Sequence, residues 1–270
     1  MNPKLSIVIA VYNKPQNLRY VLEAFNRQSM KDFELIIADD GSGKELTDVV
    51  NEAKRTYPFR IKHLWHADNG WRKNTMLNYG IQESATDYIV FIDGDCLPGK
   101  DFVLDHFAHR VKEKILLGRR VEHGERWAKN LSLEKIRSGE FEKYTLRDIV
   151  DGLTGKSVTL EAGFRITHPF VRKLTGEVSS ILGCNFSTYK EHLVAVNGFD
   201  ESYDGPGSGE DSDIFYRLQL IGVTGKSLRS LALQYHIWHP LTKEKEANHQ
   251  RFLAMKSKNE PRCKNGLMKL

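Results

Sequence analysis

The chain has 270 residues, 40% of them hydrophobic, which is enough apolar material for a sizeable core and excludes a short module held together by staples. Its three cysteines, Cys96, Cys184 and Cys263, are odd in number and widely separated, which argues against a disulfide framework or a zinc cluster and points to a reducing, cytoplasmic setting. The net charge of +5 favours anionic partners such as a nucleotide, a phosphorylated lipid or an acidic membrane surface, while the interspersed charges form no basic stripe, so nucleic acid is not expected.

Lys4 to Tyr12 (KLSIVIAVY) reads as an apolar strand, entered without a charged leader or cleavage site, so no signal peptide is expected. No apolar run approaches the ~20 residues of a membrane span. Asn13-Lys14-Pro15 offers a cap and a first-turn proline, and Leu18, Val21, Leu22 and Phe25 place one apolar helical face on a sheet. Phe33 to Ala38 predicts a second strand, ended by Asp39-Asp40-Gly41-Ser42, and Leu46, Val49, Val50 and Ala53 mark a second helix. A third strand follows from Arg60 to Trp65, then a loop from His66 to Trp71 and a helix from about Lys73 to Glu83. Tyr88 to Ile92 is an uncharged strand that runs into Asp93-Gly94-Asp95. Strand and helix alternating at this spacing predict a mostly parallel central sheet flanked by helices, a Rossmann-like α/β architecture. Neither common glycine-rich phosphate loop is present, so phosphates need another device.

A helix is expected from Asp101 to Val111 and a short strand from Ile115 to Gly118, followed by Arg119-Arg120. Residues 122–180 are charged and poorly periodic, with short helical patches, and read as a partly helical insertion facing the acceptor. Apolar pattern returns from Ile181 to Tyr189, then a short helix to Val196. The loop Gly205 to Gly209 feeds Glu210-Asp211-Ser212-Asp213 into a helix with Ile214, Leu218 and Ile221 on its apolar face and Gly222 as its stop. A last strand, Ser230 to Tyr235, delivers His236-Ile237-Trp238-His239-Pro240, and a basic, peripheral tail follows. These boundaries divide the chain into residues 1–121, 122–180, 181–240 and 241–270.

Two aspartates one glycine apart at the mouth of a buried strand sit where open α/β sheets place ligands, and their oxygens suit a hard divalent cation and hence a diphosphate. An Asp-Gly-Asp turn that merely ends the strand is an equally good reading of that stretch alone. The wider set decides. S-I-V-I-A-V-Y-N, E-L-I-I-A-D-D-G-S (Glu34 to Ser42), D-N-G-W-R-K (Asp68 to Lys73), F-I-D-G-D (Phe91 to Asp95), G-C-N-F (Gly183 to Phe186), N-G-F-D-E (Asn197 to Glu201), G-E-D-S-D (Gly209 to Asp213) and Y-H-I-W-H-P (Tyr235 to Pro240) occur in this order. With them the chain resembles a family 2 glycosyltransferase of the GT-A fold whose C-terminal part is of the galactosyltransferase and chondroitin-polymerase type.

The resemblance implies a UDP-sugar donor, a glycan or glycolipid acceptor, Mn²⁺ or Mg²⁺ as cofactor, and a place in bacterial surface polysaccharide synthesis. It implies that Val11, Tyr12 and Asp39 hold the nucleobase, Asp39 accepting from the uracil imide. Asn69, Gly70, Arg72 and Lys73 form the donor loop. Asp93 and Gly94 approach the ribose, Asp95 binds the metal directly and His236 completes its coordination, with His239 as substitute. Asp211 is the catalytic base and Glu210 binds sugar hydroxyls. Asp213, four residues from Arg217, is read instead as half of a pair along the helix surface. Many members carry Arg before the asparagine placed at Asn78, where this chain has Leu77, which raises the weight on Arg72 and Lys73 for the diphosphate. Arg119 and Arg120 are further phosphate candidates or a solvated pair. The basic residues after Lys243 suit peripheral contact with the inner membrane surface. The rivals are a non-catalytic sugar-nucleotide or glycan-binding module and a phosphatase of the haloacid dehalogenase type, the latter disfavoured by Leu97 and by the motif's place on the fourth strand.

Overall fold

The computed structural model describes residues 2–207, 209–240 and 245–270, so Ser208 and the start of the basic tail, residues 241–244, lie outside the described residues. Its first half follows the predicted alternation: β1 (Leu5–Val11), α1 (Pro15–Asn26), β2 (Phe33–Asp39), α2 (Lys44–Thr56), β3 (Arg60–Trp65), α3 (Lys73–Glu83) and β4 (Tyr88–Asp93). β1 pairs in parallel with β2 and β4, and β2 with β3, which puts the order 3-2-1-4 in one half of a seven-stranded sheet. The pleat then sorts the side chains. Ile7, Ile9, Val90 and Ile92 join Leu18, Val21 and Leu22 of α1 and Val49 and Val50 of α2 on one face. Val8, Ile89 and Phe91 turn to the other, against Met76 and Ile81 of α3. Strands buried on both faces read as unbroken apolar runs for this reason, and each such side chain contributes roughly 1.5–3 kcal/mol.

The second half departs from pure parallel order. After β5 (Cys96–Pro98), α4 (Phe102–His109), β6 (Lys114–Leu117) and β7 (Val121–Glu122), the chain passes through α5 (Glu125–Lys129), α6 (Leu133–Ser138), α7 (Leu146–Leu153) and α8 (Pro169–Leu174). It returns as β8 (Phe186–Tyr189), antiparallel to β4 and β6, with the Phe186 ring stacked 4.7 Å from Phe91. Within the apolar stretch Ile181 to Tyr189, Gly183 to Asn185 form a turn before the strand begins. The segment 122–180 is partly helical and is built into the same core: Trp127, Ile136, Phe141 and Ala162 pack with the α1 face.

α9 (Lys190–Ala195), α10 (Glu210–Leu220), β9 (Thr224–Ser227), β10 (Gln234–His236) and α11 (Glu246–Lys258) complete the fold. The expected strand Ser230–Tyr235 shrinks to β10, because Ser230 and Ala232 adopt positive φ in a turn. On α10, Ile214 and Leu218 are buried as expected, but Phe215 takes the place of Ile221, which caps the helix and is partly exposed. The tail is less peripheral than its charge suggests. Asn197 donates from its amide to the carbonyls of Cys263 and Met268, both at 2.8 Å, and accepts from the Met268 N–H at 2.9 Å. All three cysteines are buried and free.

A second, three-stranded sheet positions the chemistry. β10 lies between β5, to which it is antiparallel, and β7, to which it is parallel. It brings the residue before β5, the end of β7 and the end of β10 to one point.

Candidate active site

The C-terminal ends of β1, β2 and β4 open on a cleft of about 470 Å³ lined by Val11, Tyr12, Asp40, Trp71, Lys73 and the Asp93-Gly94-Asp95 turn, among others. The turn is pressed against β1. The Gly94 N–H donates to the Ala10 carbonyl at 2.8 Å, and a Cβ at residue 94 would fall 2.6 Å from Val11 Cγ1. Only glycine fits between the two aspartates.

The adjacent acids Asp39 and Asp40 point opposite ways, as consecutive residues at a strand end must. Asp39 is fully buried, accepts from the Ser42 N–H at 2.8 Å and bonds His63 Nε2 at 2.8 Å, and does not line the cleft. This corrects the expectation that Asp39 faces the nucleobase; Asp40 faces the cleft. Asp40 accepts from the Arg72 N–H at 2.8 Å and bonds His66 Nε2 at 2.9 Å, so it holds both ends of the loop between β3 and α3. Gly70 and Lys73 line the cleft. Asn69 and Arg72 lie outside its lining, Arg72 folding its guanidinium back onto the Asn69 carbonyl. Tyr12 donates to Asp68 at 2.9 Å and stands at the rim.

Asp95 lies at the centre of the second sheet's convergence. His239 Nε2 is 3.3 Å from its Oδ2, His236 Nε2 is 3.8 Å from its Oδ1, and the Lys14 ammonium is 2.9 Å from Oδ2. Burial opposes ionisation of Asp95, but His239, Lys14 and His236 outweigh it and hold the carboxyl far below its ordinary range. One ligand atom from each of Asp95, His236 and His239 lies within 4.8 Å of the others. A carboxylate with two imidazoles fits a divalent transition ion such as Mn²⁺ better than Mg²⁺, which prefers oxygen. Both histidines therefore gather at the site, where one had been expected with the other as substitute.

Behind His236 stands Glu122, which gave no signal in the sequence. His236 Nδ1 lies 2.8 Å from its carboxylate, which leaves Nε2 aimed at Asp95. Arg120 Nε donates to the same carboxylate at 2.6 Å. Burial works against the charge on Glu122, yet the His236 bond and Arg120 bring its pKa down to about 2. Arg120 also points a second nitrogen at the sulfurs of Cys96 and Cys184, so it is a buried strut and not a solvated cation. Arg119 is tied to Ser180 at the far end of the insertion.

The third part is the start of α10. Asp211 accepts from the Gly183 N–H at 2.9 Å through Oδ2, while its Oδ1 has no partner among the described residues. A Cβ on residue 183 would lie 2.2 Å from that carboxylate, which is why the G-C-N-F turn begins with glycine. Glu210 also keeps one buried oxygen, Oε2, unpartnered. Burial and the neighbouring Asp211 push its pKa up to about 8. Burial likewise raises Asp211. Lys73 reaches from the first turn of α3 to Asp93 at 2.9 Å. Its burial favours the neutral amine, but Asp93, Asp211 and Glu210 prevail and keep it charged. Two acids, each with one buried oxygen unpartnered among the described residues, thus sit close to the Lys73 cation that pairs with Asp93.

Residues 6–167 match the family description "Glycosyl transferase family 2", and residues 170–240 match "N-terminal domain of galactosyltransferase". The chain belongs to glycosyl transferase family 2. Among the family's curated members, chondroitin synthase of Escherichia coli is 26% identical over 253 residues, covering 90% of this chain and 36% of that protein. The fold is that of GT-A glycosyltransferases. TarS 1-349 of S. aureus in complex with UDP superposes with a TM-score of 0.60 at 14% identity, over 95% of this chain and 65% of that one. Mannosyltransferase PcManGT of Pyrobaculum calidifontis, in complex with GDP-Man and Mn²⁺, gives 0.58 at 12% identity, over 93% and 60%. The chain spans less than two thirds of the length of each of these relatives. The β4 turn and Gly70, Trp71 and Lys73 line one cleft, and the acids at the α10 start lie close to Lys73.

Proposed function

We propose that the protein is an inverting, metal-dependent glycosyltransferase that moves a hexose or N-acetylhexosamine from a UDP-sugar to a hydroxyl of a glycan or glycolipid. The observation that carries this reading is the buried Oδ1 of Asp211, unpartnered among the described residues, on a carboxylate held by Gly183 and close to Lys73, the cation that pairs with Asp93 two residues before Asp95. The chondroitin synthase relative makes a glycan, and a TarS structure contains UDP, which agrees with the choice of donor and acceptor class.

Tyr12 and Trp71 form the apolar walls for the base, and Asp40, in place of Asp39, is the acceptor for the uracil imide; a carboxylate with two bonds still has free lone pairs. Asp95, His236 and His239 hold the cation, which supplies Lewis-acid neutralisation of the charge that the departing diphosphate gathers. Lys14 and Lys73 flank the two aspartates and meet the same phosphates. Asp211 takes the acceptor hydroxyl's proton as its oxygen bonds to the sugar C1, while the bond from C1 to the β-phosphate oxygen breaks and UDP leaves with the electron pair. Glu210, which keeps its proton near neutral pH, donates to a sugar hydroxyl. The insertion 122–180 and the loop before Glu210 set the choice of acceptor.

The test is UDP release from Gal, Glc, GalNAc, GlcNAc and GlcA nucleotides, with Mn²⁺ and with EDTA. At least one donor should turn over with Mn²⁺ and none with EDTA. Asp211→Asn should lower kcat by about 10²–10⁴-fold with UDP affinity unchanged. Full turnover in that variant, or in EDTA, refutes the mechanism; binding of a donor with no release under any condition supports a binding module instead.

A further inference from the structure

Helix α7 is turned inside out. Its two acids, Asp148 and Asp151, are only 4% and 8% exposed, and Arg126 grips both, Nη2 to Asp148 at 2.6 Å and Nε to Asp151 at 2.8 Å. A complete capping box between Thr145 and Asp148 fixes the first turn. The consequence is that Leu146, Ile149, Val150 and Leu153, at i, i+3, i+4 and i+7, form one stripe facing outward, with the two leucines 83% and 84% exposed. An ordinary surface helix buries such a stripe. Here two ion pairs and a cap hold it away from the core, so its exposure is a fixed orientation and not a frayed end.

The surroundings specify what covers it. The Phe164 ring, itself exposed, packs 5.1 Å from Tyr144, the residue before the cap, and widens the apolar area at the start of the helix. Lys143, Arg147 and Lys156 are all exposed around it, and none joins an ion pair among the described residues. The helix's own acids are consumed inside by Arg126, so the outward face combines apolar side chains with unneutralised cations. That pairing complements a bilayer carrying acidic headgroups: the leucines enter the headgroup boundary and the cations meet phosphate. Val158, just beyond the helix, exchanges both backbone hydrogen bonds with Glu122, whose side chain holds His236. The segment that follows the stripe is therefore bridged to the strand that carries Glu122.

We propose that α7 seats the protein on an anionic membrane surface, through Leu146, Ile149, Val150 and Leu153 with Arg147 and Lys156 as electrostatic anchors. The inference concerns where the protein sits and not what it transfers, so it stands or falls without any turnover measurement.

Co-sedimentation with vesicles of phosphatidylcholine alone and of phosphatidylcholine with about 30% phosphatidylglycerol tests it. Wild-type protein should bind the anionic vesicles about ten-fold or more tightly than the neutral ones, and less at high salt. Leu146→Gln/Leu153→Gln should lower that affinity about ten-fold, and Arg147→Gln/Lys156→Gln should remove the preference for the acidic lipid. All four side chains are exposed, so thermal unfolding should match wild type in both variants. Absence of binding by wild-type protein, or equal binding by the leucine variant, overturns the proposal. A concentration-dependent dimer in light scattering that the leucine variant abolishes, without vesicle binding, overturns it too and assigns the stripe to a second copy.

Discussion

Glu210 and Asp211 are consecutive acids that both resist ionisation, because burial deprives each of water and the first also feels the charge of the second. The folded protein therefore keeps a proton that the unfolded chain releases near the ordinary glutamate value of 4.5, up to a pH of about 8. More protons bound in the folded state means that stability falls as pH rises through this window. Glu210→Gln should flatten that fall and raise Tm at pH 8 by about 2–4 °C or more in the presence of EDTA, measured by calorimetry at pH 5 and pH 8. An unchanged slope of Tm with pH would contradict the placement of the proton. At this scale the sequence was partly legible. Asp211 stood out by its motif, whereas the choice between Asp39 and Asp40 depended on which face of the β2 end met the cleft, and a pleat of period two says only that the two differ.

The elements tell a similar story with a different cause. Asp213 and Arg217 do pair along α10, with Arg217 Nε to Asp213 Oδ2 at 2.8 Å, but the pair is buried, Arg217 wholly so, where a surface pair was expected. Arg217 also donates to the Val196 carbonyl at 2.7 Å and so ties α10 to the end of α9. Asp213→Ala should cost about 3–5 kcal/mol in denaturant unfolding, since it strands a guanidinium among Ile214, Leu218 and their neighbours. A loss under 1 kcal/mol, the size typical of an exposed pair, would mean that water reaches it. Spacing reveals a pair and leaves its depth unknown. Long apolar strands and amphipathic helices were legible because their period repeats over several residues. β9, a polar edge strand reading TGKS, and β7, two residues long, carry no period to detect. β10 was overestimated because the same apolar run supplies a turn before it supplies a strand.

Across the whole molecule, the Arg120, Glu122, His236 and Asp95 chain links segments that only the complete fold brings together. Removing the carboxylate behind a ligating imidazole loosens its ring and lowers its basicity. Glu122→Gln should weaken Mn²⁺ binding about 10–100-fold, read by calorimetric titration without donor present, while leaving the far-ultraviolet circular dichroism unchanged. Equal affinity would exclude Glu122 from the cation site. Such a residue escapes sequence reasoning because its role lies in a contact across 114 positions of chain, between Glu122 and His236, and nothing local marks it.

The small sheet of β5, β10 and β7 has a consequence in time. Asp95 and Glu122 both precede β10 by more than 100 residues in the chain, and they face one another across a gap that β10 fills. Closing loops of this length is slow compared with forming the local contacts of α1 or α2. Until that last strand docks, the acidic turn has Lys14 and Lys73 beside it and neither imidazole. A chain that is still folding thus shows metal ions a carboxylate paired only with an ammonium, and the nitrogen ligands that select among those ions arrive with the last strand.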